Sequence, residues 1–127
     1  MSDIILTFNS LYNLLREEKN NKILQQIPDK FYEAIEKYKE DKKKEIERLK
    51  SEKEVKKLEK EKRILKNSNN IIEKIIEERL IKISEIAIKN SIKSQEVLSE
   101  DRITNKLEKQ FFKELQSLVN KFMEEVQ

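Results

Sequence analysis

Apolar residues along this chain recur at helical spacing, in four segments. Leu11, Leu14 and Leu15 form the first stripe, with Ser10 ahead of them as an N-cap and Asn20-Asn21 closing the helix. Phe31, Ala34, Ile35 and Tyr38 form the second, extended by Ile46 and Leu49. Its start is marked by Ile27-Pro28-Asp29. Pro28 disfavours a helical conformation at Ile27, and Asp29 is placed to cap and to complement the positive end of the helix dipole. Beyond Lys39 the stripe thins to Val55, Leu58 and Leu65, out of phase with Ile46 and Leu49, and the slip falls near Ser51. Either the helix bends there, or it turns its second half towards a different neighbour. A continuous arm would be solvated and roughly 35–40 Å long at 1.5 Å per residue. Asn67-Ser68-Asn69-Asn70 then predicts a break, because these side chains compete for backbone hydrogen bonds.

The third segment runs from Asn70 to about Ile92 and is the most apolar. At about 100° per residue, Ile71, Ile72, Ile75, Ile76, Leu80, Ile83, Ile86 and Ala87 share one broad face, while Ile81, Ile88 and Ile92 fall on the back. A helix apolar on both sides has to be covered on both sides. The fourth segment is expected to start at Ser99, with Glu100 and Asp101 as first-turn acids. Ile103, Leu107, Phe111, Phe112, Leu115, Leu118, Val119, Phe122, Met123 and Val126 cover an arc of roughly 200° on it. The pattern predicts an all-α fold: a helical bundle of about four helices forming a single domain over residues 1–127, with a charged arm at about 39–66.

Composition narrows the chemistry. The chain has 127 residues, no Gly, one Pro, and neither Cys nor His. Turn-rich sheets and phosphate-cradling glycine loops are therefore not expected. Disulfides, thiolate chemistry, an imidazole base and nearly all zinc sites are excluded by residue type. Charged residues make up 42% of the chain, yet the net charge is only +3. Thirteen cations and eight anions lie between Lys39 and Lys66. Lys42, Lys43, Lys44, Lys56 and Lys57 are the densest cationic points and the candidates for phosphate contacts. Acids are interleaved with them, so a helix surface laced with ion pairs such as Glu40/Lys44, Glu52/Lys56 and Glu59/Arg63 is the favoured reading. No apolar run approaches the ~18 residues of a membrane span, and the N-terminus reads as no secretory signal.

Nothing in the sequence points to catalysis. Glu77-Glu78 and Glu124-Glu125 are adjacent pairs that point in different directions on a helix, and no Ser or Thr has a base nearby in a motif. We expect a non-enzyme without cofactor or metal. Arg79 is the exception to the pattern, since it sits near the centre of the main apolar face. It is expected to pair with a carboxylate at the edge of the core, with an anionic ligand as the alternative. Phe111, Leu115, Leu118 and Phe122 are expected to be core, while Phe112, Val119, Met123 and Val126 widen the last helix beyond what one neighbour covers. With Ile81, Ile88 and Ile92 they mark either a subunit interface or burial within one four-helix domain.

The order of these signals resembles a known family. Leu14-Leu15-Arg16-Glu17-Glu18 ends a short first helix. Leu24-Gln25-Gln26-Ile27-Pro28-Asp29-Lys30-Phe31-Tyr32 is similar to a Leu-x-x-Leu-Pro-x-x-Phe-Tyr motif leading into a long helix. Ile71-Ile72-Glu73-Lys74-Ile75-Ile76-Glu77-Glu78-Arg79-Leu80-Ile81-Lys82-Ile83 is similar to Ile-Leu-x-x-Ile-x-x-x-Arg-x-x-Lys-Ile, with Ala87 following, and Leu98-Ser99-Glu100-Asp101 opens the last helix. The chain resembles the helical A domain of an archaeal GINS subunit of the type in which the A domain precedes a small β-rich B domain, with that B domain expected to be absent, either removed or never present. The resemblance implies a non-catalytic DNA replication factor, cytoplasmic and at the archaeal nucleoid. It would assemble with other GINS subunits as a homo- or heterotetramer and link the MCM helicase to a RecJ-like protein. Arg79, Lys82 and Ile83, with Pro28, Phe31 and Tyr32, would then be structural and assembly positions. A stand-alone nucleic-acid-binding helical protein using the lysine-rich arm, or a generic coiled-coil scaffold, are the alternatives. The broken register of Ile46, Leu49, Val55 and Leu58 counts against the scaffold.

Overall fold

The computed structural model describes residues 4–92 and 100–126. The fold is all-α, as the pattern predicts. Its elements are α1 (Phe8–Asn20), α2 (Phe31–Ser51), α3 (Val55–Ser91), a 3-10 turn (Glu100–Arg102) and α4 (Lys106–Val126). The chain divides into two compact units: Met1–Glu17 with Lys30–Ile75, and Glu18–Asp29 with Ile76–Gln127. α1 and α3 each contribute to both.

In the first unit, α1 starts on a reciprocal cap. The Ser10 N–H donates to Thr7 Oγ1 at 3.1 Å, and the Thr7 N–H donates to Ser10 Oγ at 2.7 Å. Thr7 is therefore the N-cap, and Ser10, expected in that role, occupies the third helical position. At α2 the N-cap position falls on Lys30, which makes no side-chain cap bond, so Asp29 does not cap as expected. Leu11, Leu15, Phe31, Ile35, Tyr38, Ile46, Leu49, Ile72 and Ile75 are the buried apolar side chains of this unit among the described residues.

The expected arm is two antiparallel helices rather than one rod. α2 ends in a double-bonded left-handed turn: the Lys53 N–H donates to Lys50 O at 3.2 Å and the Glu54 N–H to Leu49 O at 3.1 Å. Lys53 itself has φ 56°. This pair of bonds is the Schellman arrangement that stops a helix and reverses the chain. The phase slip near Ser51 therefore marks a change of helix. Lys42 Nζ meets Glu61 at 3.0 Å across the pair and lies 5.9 Å from the Tyr38 ring centre. Glu52, expected to pair with Lys56, instead accepts from Arg48 at 2.7 Å.

The break expected at Asn67–Asn70 does not occur, because α3 runs through it. Ser68 Oγ donates to Ile64 O at 2.7 Å and sits 2.8 Å from Tyr38 Oη. Since the single Ser68 proton is used on Ile64, the Tyr38 hydroxyl is the donor of that buried bond. Polar residues of this kind cost at most about 0.7 kcal/mol each in a helix. Burying Ile72 and Ile75, each 1% exposed, returns about 1.5–3 kcal/mol apiece. Packing outweighs local preference.

In the second unit the core is Leu24, Ile83, Ile86, Ala87, Ile103 and Phe112, with Phe111 and Leu115 partly buried against it. Here the start of the last helix differs from expectation. Ser99 lies outside the described residues. Glu100 and Asp101 belong to the 3-10 turn, which the Ile103 N–H closes on Glu100 O at 2.9 Å. The cap of α4 is Asn105: its Oδ1 accepts the Glu108 N–H at 3.1 Å, and its Nδ2 donates to Asp29 O at 3.0 Å.

Candidate functional site

Two features of the second unit stand out: a buried ion cluster and an apolar stripe that outruns its cover. The cluster is centred on Arg79, which is 1% exposed. Its guanidinium grips Glu108 with two parallel bonds, Nε to Oε2 and Nη2 to Oε1, each 2.7 Å. Nη1 donates to Glu18 Oε1 at 2.7 Å and to the Gln25 carbonyl at 2.6 Å. Glu18 and Glu108 are 2% and 5% exposed. Lys82 adds a second cation, bonding Glu18 Oε2 at 2.6 Å and the Asn21 carbonyl at 2.7 Å. The Gln25 N–H donates to Glu18 Oε2 at 3.2 Å.

The cluster is balanced, with two cations facing two carboxylates. A buried charge is tolerated only when paired and fully hydrogen-bonded, and a planar bidentate fork is the geometry arginine offers and lysine does not. Burial disfavours the charged guanidinium. The hydrogen bonds and field of Glu108, and then those of Glu18, outweigh that effect and hold its pKa above the ordinary arginine value. Arg79 therefore joins α1, the segment before α2, and α4.

The acids Glu18 and Glu108 were not singled out in the sequence, although a signal existed. Leu11, Leu15 and Glu18 are spaced as one helix face, and so are Glu108, Phe112 and Leu115. An acid on an apolar face carries the same information as Arg79.

The second feature lies on α4. At about 100° per residue, Glu108, Phe111, Phe112, Leu115, Leu118, Phe122 and Val126 share one face. The early part of that face is covered and the later part is not: Leu118, Phe122 and Val126 are 66%, 61% and 59% exposed. Val119 and Met123 are half-buried. This corrects two expectations. Phe112, proposed for an interface, is buried in the core of its own unit at 4% exposure, because it faces the same way as Glu108. Leu118 and Phe122, assigned to the core with Phe111 and Leu115, are open to solvent. On α3, Ile81 and Ile88 are exposed, and Ile92, just past its end, is half-buried. Ile81 and Ile88 lie about 180–200° round the helix from Arg79.

No protein-family model, curated protein or solved structure matches this chain.

The lysine candidates are dispersed. Lys42 is taken up by Glu61 and Tyr38, while Lys43, Lys44, Lys56 and Lys57 are exposed. Consecutive residues point about 100° apart on a helix, so neither run presents a single cationic face. Glu45, close to Lys42 and Lys57, is held below the usual carboxylate range, chiefly by its hydrogen bond from Arg48. Among the described residues no helix is long and apolar enough to cross a membrane, and no group of three or more acidic, His or Cys side chains is placed to hold a metal ion.

Proposed function

We propose that this chain is a non-catalytic helical subunit of a GINS-type DNA replication complex. It assembles with other subunits of that complex through its uncovered apolar faces and helps to link the MCM helicase to a RecJ-like partner. One observation supports this reading above the others. Two segments that carry the resemblance, Leu24–Ile27 and Arg79–Ile83, belong to one packed structure. Arg79 bonds the Gln25 carbonyl, Lys82 bonds the Ile23 carbonyl at 3.4 Å, and Leu24 shares a core with Ile83. The motif residues thus hold the shape of the unit, which fits a role in assembly. The exposed Ile81, Ile88, Leu118, Phe122 and Val126 supply apolar surface of the kind that a partner subunit covers.

The test is copurification of the tagged chain from its native cells, followed by mass determination of the purified complex. The expected outcome is a discrete tetrameric or heterotetrameric assembly that retains MCM. A monomer that retains neither MCM nor a second GINS-like subunit sinks the proposal. The dispersed lysines give no observation in favour of the nucleic-acid reading.

A further inference from the structure

The second unit contains a cleft of about 350 Å³ on a face of α3 roughly 100° round the helix from Ile81 and Ile88. Its floor is apolar. Leu24 and Ile86 are almost fully buried beneath it, and Ile23, 54% exposed, forms one wall. Its rim is cationic. α3 contributes Lys82, Glu85 and Lys89 at helical spacing, the segment before α2 contributes Lys22, and the 3-10 turn contributes Arg102.

The charges on this rim differ in what they already do. Lys82 is committed to Glu18, and Lys89 to Glu85 at 2.7 Å. Lys22 and Arg102 are exposed and have no ion-pair partner among the described residues. The cleft therefore has two uncompensated cations above a greasy floor. Its volume is at the low end for a binding pocket, enough for one or two side chains rather than a large cofactor.

We infer that this cleft binds a short acidic segment of a partner protein, in which one apolar side chain is flanked by Asp or Glu. The apolar side chain would cover Leu24 and Ile86, and the flanking carboxylates would pair with Lys22 and Arg102. Charge complementarity selects an anionic ligand, and the floor selects one with an apolar anchor. A nucleic-acid strand fits less well, because no aromatic side chain among the lining residues offers a base a stacking surface. The inference does not depend on the GINS reading, since it concerns a different face of α3.

The experiment titrates the full chain against fluorescently labelled probes. One is a synthetic peptide with a single leucine flanked on both sides by aspartates and glutamates. The others are the same peptide with Leu→Ser, the same peptide with all acids amidated, and a single-stranded DNA oligonucleotide. The first peptide binds, and each altered peptide binds at least about tenfold more weakly. Lys22→Glu and Arg102→Glu each weaken the first peptide by about tenfold while thermal unfolding stays at the wild-type temperature. Three results overturn the inference. The Leu→Ser peptide or the oligonucleotide binds as tightly as the first peptide, or both charge-reversal variants bind it like wild type, or the wild-type chain binds no peptide at concentrations up to about 1 mM.

Discussion

Arg79 keeps its charge at 1% exposure because its guanidinium makes four hydrogen bonds, three of them to carboxylate oxygens. Replacing it by Leu would leave Glu18 and Glu108 buried without the guanidinium they share. Breaking a buried pair by removing one member costs about 3–5 kcal/mol. Arg79→Leu is expected to lose about that much in denaturant unfolding, with the midpoint rather than the slope moving. The pH dependence follows from the direction of the shift. A cation whose folded pKa is raised stabilises fully below its unfolded pKa, and the effect is lost only as pH rises through the folded one. For Arg79 both lie far into alkali. The stability difference between wild type and Arg79→Leu should therefore stay constant between about pH 7 and pH 9. A gap that narrows as pH rises across that window would show that another group carries the charge. The anomaly at Arg79 is legible in the sequence, and so are those at Glu18 and Glu108. What cannot be read is the pairing, because the partners lie 61 and 29 positions away. No periodicity along a helix reports contacts at such separations.

The element boundaries were legible to different degrees, and the reasons are local. Pro28 marks the approach to α2 because its ring constrains the chain whatever surrounds it. The slip near Ser51 was visible as a change of phase, but phase alone does not distinguish a bend from a reversal. The deciding feature is the left-handed Lys53, and lysine carries no mark of that conformation. Asn67–Asn70 misleads in the opposite direction. Its polar side chains prefer turns, yet Ser68 is drawn into a buried bond with Tyr38 that only the fold creates. The turn yields a specific test. A non-glycine residue in the left-handed region costs about 1–2 kcal/mol, and glycine removes most of that penalty. Lys53→Gly is expected to raise unfolding stability by about 1 kcal/mol, since Lys53 is exposed and its side chain makes no hydrogen bond or ion pair among the described residues. A loss of stability in thermal or chemical unfolding would mean that the turn is held by the lysine side chain instead.

At the scale of the whole molecule, the wide apolar arc of α4 was readable, but the point where its cover ends was not. Phe112 and Phe122 lie within about 80° of each other on the same helix face and have opposite surroundings, because the core of the second unit reaches only the first of them. This contrast separates folding from assembly. Phe112→Ala removes a core side chain and should cost about 3–5 kcal/mol of stability. Leu118→Glu combined with Phe122→Glu changes exposed positions, where substitutions usually stay within about 0.5 kcal/mol each. If the later half of α4 meets a sister subunit, the double variant buries two charges in an apolar contact. It should then shift light-scattering mass from the assembly to the free chain while circular dichroism and the unfolding midpoint hold. An unchanged assembly mass in the double variant would remove α4 from the interface. The exposed Ile81 and Ile88 of α3 would then be the next apolar surface to test, and Ile88→Glu tests it by the same measurement.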